Sequence, residues 1–261
     1  MGSAYEHLSK ADRLVLEGLR SAGEAWIVGG WVREAASGRH ETDLDIATTL
    51  LPAEVKGLFP RSLMVGEKYG TVIVRLKDNI SDGTWEVTTL RSEGSYGDGR
   101  RPDQVEFGQS IEDDLARRDF TINAMAIDSD GDVIDPYDGM SDLRAGVLRA
   151  VGEASERLGE DGLRIMRAYR FLDSTGGMRN MESSLRSAVR GNLSMLDGVS
   201  RERIGMEMER ILGGRNAGEV ILQMHEDGVL EHVLPRIACT VSPSFCTDFL
   251  VNLALLCSDD P

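Results

Sequence analysis

Two aspartates, Asp43 and Asp45, stand two positions apart in a stretch that alternates polar and apolar residues over 43–47. That alternation predicts a half-buried strand, on which side chains two positions apart point to the same face. Two carboxylates held that close repel each other, and a divalent cation such as Mg²⁺, which prefers oxygen ligands, relieves the repulsion. Taken alone, the pair is better interpreted as a solvent-facing strand edge, and a metal site is favoured only together with the residues around it.

Glu86 stands on another predicted strand, over 85–90. A carboxylate there would either add a third acidic group to the pair formed by Asp43 and Asp45 or activate an attacking hydroxyl group. The alternative is an exposed strand position without a chemical role.

Two glycines precede the aspartate pair and suggest a contact with phosphate. Gly29 and Gly30 end a short apolar strand at 25–28, and Arg33 follows on the first turn of a predicted helix. A glycine backbone can approach a phosphate closely, helix N-termini favour anions, and a guanidinium can bind two phosphate oxygens. A plain tight turn is the alternative. Because the glycines and the aspartates come from successive strands, together they favour a nucleotide–metal site.

The composition sets limits on the class of protein. The chain has 261 residues, 41% of them hydrophobic, and a net charge of −15. This balance excludes a collagen-like, disordered or disulfide-scaffold chain, and it means that a nucleic-acid partner would need a local basic groove. The three cysteines, all after residue 238, are expected to be free thiols. No secretory signal and no apolar run of membrane-spanning length is visible, so we expect a cytoplasmic protein.

The elements that must position these residues fall into two halves. Up to about residue 150, short β-like runs alternate with helical segments, whereas from about 156 onward apolar residues recur at helical spacing. Strands are predicted at 25–28, 43–47, 71–76, 85–90 and 122–127, and helices at 32–36, 52–58 and 111–118. A loop rich in Gly, Ser, Asp and Arg is predicted between 91 and 103. The organisation is therefore α/β followed by all-α.

The motifs that carry these residues resemble those of the class II tRNA nucleotidyltransferases, the CCA-adding enzymes and bacterial poly(A) polymerases of the polymerase β superfamily. No single block is decisive, but nine blocks follow one another in the family's order. They are VGGWVRE at 28–34, DLDIAT at 43–48, GEKYGTV at 66–72, EVTTLR at 86–91, YGDGRRP at 96–102, RRDFTINAMA at 117–126, DPYDG at 135–139, EDGLRIMRAYRF at 160–171 and SRERI at 200–204.

The resemblance implies a polymerase β-like nucleotidyltransferase head at 1–150, with a mixed sheet and flanking helices. A helical neck and the start of a body would follow at 151–261 and bind RNA and the nucleotide base. Two Mg²⁺ ions would be held by the aspartate pair, and nucleotide would be transferred from CTP or ATP to the tRNA 3′ end with release of pyrophosphate. The residues expected to touch the nucleotide in the head are Gly29, Gly30, Arg33, Arg118 and Asp119.

The predicted neck carries a second candidate site. Asp161 and Arg164 are three residues apart in a predicted helix and so share a face. A carboxylate accepts from an exocyclic amine and a guanidinium donates to ring acceptors, so this pair could select cytosine and adenine over uracil and guanine. Arg167 and Arg170 continue the same row and could face phosphate or ribose. In an arbitrary helix a surface ion pair would be the better interpretation, and the head-domain context favours the base-reading one.

Several alternatives stay open at this point. CCA addition is the leading prediction; an A-adding enzyme or a poly(A) polymerase would use the same chemistry, and a truncated nucleotide- or RNA-binding module would use none. Arg100 and Arg101, in the Gly-rich loop, favour an enzyme that can add A over a strictly CC-adding one. Family members continue into body and tail domains, whereas this sequence stops at Pro261. The chain is therefore a minimal enzyme, a truncated one, or one completed by a second copy or another protein.

Overall fold

The structure is a computed structural model that describes residues 4–39, 43–65, 70–76, 83–92, 106–107 and 110–234. These residues form two compact units, which divide between Ser141 and Asp142. The predicted domain limits, 1–150 and 151–261, stay a prediction. Most of the Gly-rich loop and all three cysteines lie outside the described residues. Among the helices described, none combines the length and the apolar character needed to cross a membrane.

The first unit contains a sheet, its flanking helices and short 3-10 turns. Its helices are α1 Lys10–Arg20, α2 Gly30–Ala36, α3 Pro52–Leu58, α4 Ile111–Ala116 and the start of α5 Gly139–Ala145, with 3-10 helices at Ala4–His7 and Thr121–Asn123. Its strands are β1 Ala25–Val28, β2 Asp45–Thr48, β3 Leu63–Met64, β4 Thr71–Arg75, β5 Thr84–Thr89, β6 Arg91–Ser92, β7 Glu106–Phe107, β8 Ala126–Ile127 and β9 Val133–Ile134.

Seven of these strands form one sheet in the order β3-β4-β5-β2-β1-β8-β9. Strands β2 and β5 run parallel, whereas β1 pairs antiparallel with both β2 and β8. The sheet is therefore mixed, with helices flanking it, and the predicted fold class is confirmed. The parallel pair at its centre places the start of β2 beside the third residue of β5.

The core of this unit lies on one face of the sheet. Helix α1 begins with a capping box between Ser9 and Asp12 and buries Val15, Leu16 and Leu19 completely or almost so. Burying each of these side chains contributes about 1.5–3 kcal/mol to the free energy of folding. Helix α3 begins at a proline in its first turn, as its sequence predicts. Successive side chains of a strand point to opposite faces of the sheet. The acidic residues can therefore lie on the face that does not cover this core.

Two sequence predictions about strands were wrong. The strand predicted at 43–47 begins at Asp45 instead, so Asp43 precedes it. The strand predicted at 122–127 is a 3-10 helix, Thr121–Asn123, followed by the two-residue β8. Backbone hydrogen bonds from the Asn123 amide to the Phe120 carbonyl at 2.9 Å and from the Ala124 amide to the Thr121 carbonyl at 3.0 Å close this turn, and the Asn123 side chain hydrogen-bonds to Asp119 and Arg33. Its apolar neighbours gave a strand-like pattern because they are all buried.

Over residues 142–234, the second unit is helical apart from one short parallel pair of strands, β10 Val147–Leu148 and β11 Asn180–Met181. Its elements after α5 are β10 Val147–Leu148, α6 Ala154–Glu160, α7 Leu163–Leu172, β11 Asn180–Met181, α8 Ser183–Gly191, a 3-10 helix Leu193–Gly198, α9 Arg201–Leu212, α10 Ala217–Glu226 and α11 Val229–Val233. Helix α7 packs against α9, and the buried Tyr169 hydroxyl donates to Asp227 at 2.8 Å. These contacts fix the helix that carries the second candidate site.

Candidate active site and base-binding site

Asp45 and Glu86 are neighbours across the parallel strands β2 and β5. The next residues along each strand, Ile46 and Val87, are buried in the core, so the two carboxylates point to the opposite face. Neighbouring strands lie about 4.8 Å apart, which puts the two acidic side chains within reach of one ligand. Asp43 lies just before β2 and is exposed.

The electrostatics of Asp45 report which charges surround it. The pKa of its carboxyl group is raised to about 6, first of all by burial and then by the neighbouring carboxylates of Glu86 and Asp43. The guanidinium groups of Arg118 and Arg33 lower the pKa. The structure thus brings five of the sequence-predicted site residues into one electrostatic cluster, in which a partly buried carboxylate is held among two others and two cations.

Gly29 is required by this geometry. Its φ of +72° is one that side-chain-bearing residues rarely adopt, and a Cβ there would lie 3.0 Å from Asp45 Oδ2 and 3.5 Å from Arg118 Nη1. Gly30 opens helix α2, and a Cβ on it would lie 3.8 Å from Arg33 Nη2. The two glycines thus place backbone without side chains next to Asp45, Arg118 and Arg33, which would let a phosphate approach closely.

Both arginines of the cluster are held by the segment 114–123. Arg33 Nη1 donates to Asn123 Oδ1, and Arg118 Nη1 donates to the Asn123 backbone carbonyl at 3.2 Å. Arg118 Nη2 also donates to buried Asp114 at 3.2 Å. Asp119 is buried, and its Oδ1 accepts from the Phe120 amide at 2.9 Å and from Asn123 Nδ2 at 3.1 Å. This Asp119 geometry suits a positioning role.

The acidic residues around Asp45 offer carboxylate oxygens to a metal ion. Within the residues that the structure describes, no group of three or more His, Cys, Asp or Glu side chains lies close enough together to hold a metal. The donor set nevertheless fits Mg²⁺, because this ion commonly uses one or two carboxylates and completes its coordination with substrate phosphates and water. Burial and, after it, the carboxylates of Glu86 and Asp43 raise the pKa of Asp45, and a bound cation would favour its ionised form.

In the second unit, Asp161 lies before helix α7 and not on it. The helix begins at Leu163, while Asp161 is extended, and its Oδ1 accepts from the Leu163 amide at 2.9 Å. Its Oδ2 accepts from Arg203 on α9 at 2.7 Å. Arg164 donates to Glu160 and, at 2.8 Å, to the Arg157 carbonyl. The expected shared helical face of Asp161 and Arg164 was therefore wrong, because the helix starts two residues later than predicted.

Arg167 and Arg170 lie one and two turns further along the partly exposed side of α7. Both guanidinium groups contact the ring of Phe171, at 5.2 and 4.3 Å from its centre. Arg170 also forms an ion pair with the buried Glu207 of α9 at 3.2 Å. Sequence reasoning missed both Glu207 and Arg203; their spacing of four on a predicted helix was the signal that could have found them.

Gly162, at the turn into α7, has an ordinary helical backbone conformation. A Cβ on it would lie only 2.2 Å from the Met195 carbonyl oxygen. The glycine is therefore a packing requirement, because any side chain would force the Met195 backbone away from the start of α7.

Two family models match this chain. Residues 25–149 match the poly(A) polymerase head domain, and residues 180–240 match the probable RNA- and SrmB-binding site of polymerase A. The chain belongs to the family of class II tRNA nucleotidyltransferases and bacterial poly(A) polymerases. The resemblance stated from the sequence motifs is confirmed.

Individual members of this family are similar over most of the chain. The CCA-adding enzyme of Geobacillus thermodenitrificans is 44% identical over 216 residues, which are 82% of this chain and 52% of that protein. The Bacillus stearothermophilus CCA-adding enzyme in complex with CTP superposes with a TM-score of 0.80 at 35% identity, covering 97% and 58% of the two chains. The Thermotoga maritima CCA-adding enzyme complexed with tRNA gives 0.74 at 25% identity, covering 93% and 57%. The chain thus spans about half the length of these relatives.

Proposed function

We propose that this chain catalyses nucleotidyl transfer from CTP and ATP to the 3′ end of tRNA, as a CCA-adding enzyme. The observation that carries the proposal is the cluster around Asp45. Two further carboxylates, Asp43 and Glu86, and two guanidinium groups, Arg33 and Arg118, act on this one partly buried group. Carboxylates that can hold a cation beside arginines that can hold phosphates are what transfer from a nucleoside triphosphate requires.

Divalent metal is general in this family, and we propose that Asp43 and Asp45 hold two Mg²⁺ ions here. When bound, Mg²⁺ supplies charge neutralisation at the phosphate oxygens and lowers the pKa of a coordinated hydroxyl group. Glu86 is exposed beside Asp45, and we propose that it accepts the proton of the attacking 3′ hydroxyl group.

The remaining residues of the head bind and orient the triphosphate. Gly29 and Gly30 admit it close to the backbone, and Arg33 and Arg118 pair with its oxygens. The 3′ oxygen then bonds to the α-phosphorus while the bond to pyrophosphate breaks. Holding the reacting atoms in line supplies much of the acceleration, since well-oriented intramolecular reactions gain about 7–11 kcal/mol. Asp119 acts on this machinery through Asn123 and Phe120.

We propose that base selection is the task of the second unit. Asp161 already accepts from Arg203 and the Leu163 amide, and an ionised carboxylate has about four acceptor sites, so it can also accept from an exocyclic amine. Arg164 lies on the first turn of α7, where its guanidinium can donate to a ring acceptor. Arg167 and Arg170 extend this surface towards ribose or phosphate. The complexes of family members with CTP and with tRNA support this assignment of substrates.

The test is nucleotide addition to three tRNA transcripts that end before CCA, after C, and after CC. Each is incubated with Mg²⁺ and with CTP, ATP or both, and product lengths are read to single-nucleotide resolution. We expect completion to CCA and no further, with loss of activity in Asp43→Ala and Asp45→Ala. Addition of A only to the CC-ended transcript would point to an A-adding enzyme, and a long A tail to a poly(A) polymerase. No product together with intact CTP binding would identify a nucleotide-binding module.

A further inference from the structure

Asn123 contacts three groups of the head site at once. It ends the 3-10 helix Thr121–Asn123 and is 6% exposed. Its Oδ1 accepts from Arg33 Nη1, its backbone carbonyl accepts from Arg118 Nη1, and its Nδ2 donates to Asp119 Oδ1. The oxygen and the nitrogen of the side-chain amide both form hydrogen bonds. Arg33 of α2 and Arg118, which follows α4, are thus both bound to a single residue of the 3-10 helix.

The absence of charge on Asn123 is what makes this arrangement effective. Arg33 already forms an ion pair with Glu34 at 3.2 Å, and Glu34 is shared with Arg39. A second carboxylate on the far side of the guanidinium would cancel the attraction that Arg33 exerts on a polyanion, since interactions between charges at such distances amount to several kcal/mol near a protein surface. An amide oxygen fixes the direction of the guanidinium and leaves its charge in place.

We propose that Asn123 is a positioning residue that orients Arg33, and with it Arg118, towards the triphosphate of the incoming nucleotide. This inference rests on the proposed function and adds a residue to it. Because the triphosphate is common to CTP and ATP, loss of the Asn123 side chain weakens the binding of both nucleotides by the same factor. The choice between bases, which belongs to the second unit, stays unchanged.

The test compares Asn123→Ala and Asn123→Asp with the wild-type chain by steady-state kinetics and by calorimetric binding of inorganic tripolyphosphate without RNA. Asn123→Ala removes a hydrogen bond to a charged group, so we expect KM for CTP and for ATP, and the tripolyphosphate Kd, to rise about tenfold together. Asn123→Asp keeps the shape and the acceptor atom but adds a charge beside Arg33. We expect it to weaken tripolyphosphate binding at least as much as alanine does.

A matched control separates this role from a loss of stability. Thr89 is buried in the same unit and donates to the Leu50 carbonyl at 2.7 Å. We expect Thr89→Val to lower Tm and to leave both KM values unchanged.

Three results would overturn the inference. One is wild-type KM and tripolyphosphate affinity in Asn123→Ala, and another is a rise in KM for only one of the two nucleotides. The third is an equal rise in KM in Thr89→Val, which would show that the rise in the Asn123 variants follows from a loss of stability. If the wild-type chain itself neither adds nucleotides nor binds tripolyphosphate, the proposed function falls and this inference falls with it.

Discussion

Gly29 and Asp45 lie so close together that a Cβ on the glycine would be 3.0 Å from Asp45 Oδ2. The glycine also has φ +72°. This position therefore requires both a backbone conformation that favours glycine and the absence of a side chain. The two residues face each other because β1 and β2 are antiparallel, with Val28 opposite Asp45. This contact joins the proposed phosphate-binding turn to the carboxylate cluster.

Gly29→Ala should therefore abolish most activity. The methyl group would displace Asp45 or the turn, and a shift of the order of 1 Å in a catalytic site can cost about 100-fold in rate. The measurement is the initial rate of CMP addition under saturating CTP. The matched control is Gly57→Ala on helix α3, where a Cβ meets nothing within 4 Å. That change should leave the rate unchanged and raise the free energy of unfolding by about 0.5–1 kcal/mol.

Asp45→Asn should stabilise the metal-free fold while removing activity. In the wild type a partly buried carboxylate is ionised at pH 7.5 beside Glu86 and Asp43, and its raised pKa of about 6 reflects that cost. The neutral amide relieves it, so we expect Tm without metal to rise by about 2–4 °C. Added Mg²⁺ should raise the Tm of the wild type and leave the variant unchanged. The control is Asp132→Asn, which removes the same charge at an exposed position and should reproduce neither effect. A lower Tm in Asp45→Asn would contradict the account.

The charge of Asp114 should make the free energy of unfolding depend on pH in the acidic range. Burial alone would raise its pKa, but Arg117 and Arg118 outweigh burial and hold the pKa below its usual value. A depressed pKa stabilises the fold above the unfolded value of about 3.9, and that contribution is lost as pH falls through the folded pKa. Asp114→Asn should thus lower the free energy of unfolding at pH 7 by about 1.5–3 kcal/mol. Denaturant melts across pH should show the difference shrinking below about pH 4; a constant difference would refute the electrostatic cause.

Asp161→Ala should relax the choice of base more than it slows the reaction with CTP. Without the carboxylate, no group at this position accepts from the exocyclic amine of cytosine. CTP therefore loses the interaction that distinguishes it from UTP. The measurement is the ratio of kcat/KM for CTP to that for UTP on a transcript lacking CCA. We expect this ratio to fall by at least about tenfold, since one good hydrogen bond to a charged group is worth that much. Equal losses for both nucleotides would assign Asp161 a purely structural role through Arg203.

Much of the head could be predicted because its signals are local. The strand at Ala25–Val28 and the helix at Pro52–Leu58 are found as predicted, since an apolar run closed by glycines and a proline at a helix start act over a few residues. The segment at 122–127 could not be predicted in the same way. Its apolar pattern fits a strand, whereas the hydrogen bonds of Asn123 to residues up to 90 positions away decide its structure.

The second site shows the same limit. Periodicity places Asp161 and Arg164 on one helix, but Gly162 packs against the Met195 carbonyl and the helix begins only at Leu163. The partner of Asp161 is Arg203, 42 residues away, a pairing that follows from helix packing and not from spacing along the chain. Residue types could therefore be predicted, and their tertiary partners could not.

The most direct test of the central claim is the stoichiometry of the reaction. Purified chain, Mg²⁺, a tRNA transcript lacking CCA and CTP labelled on the α-phosphate are mixed, and incorporated label and released pyrophosphate are counted together. The account predicts one pyrophosphate for each nucleotide joined to the 3′ end, dependence on Mg²⁺, and loss of both products in Asp45→Asn. Pyrophosphate release without incorporation, or equal incorporation by Asp45→Asn, would contradict it.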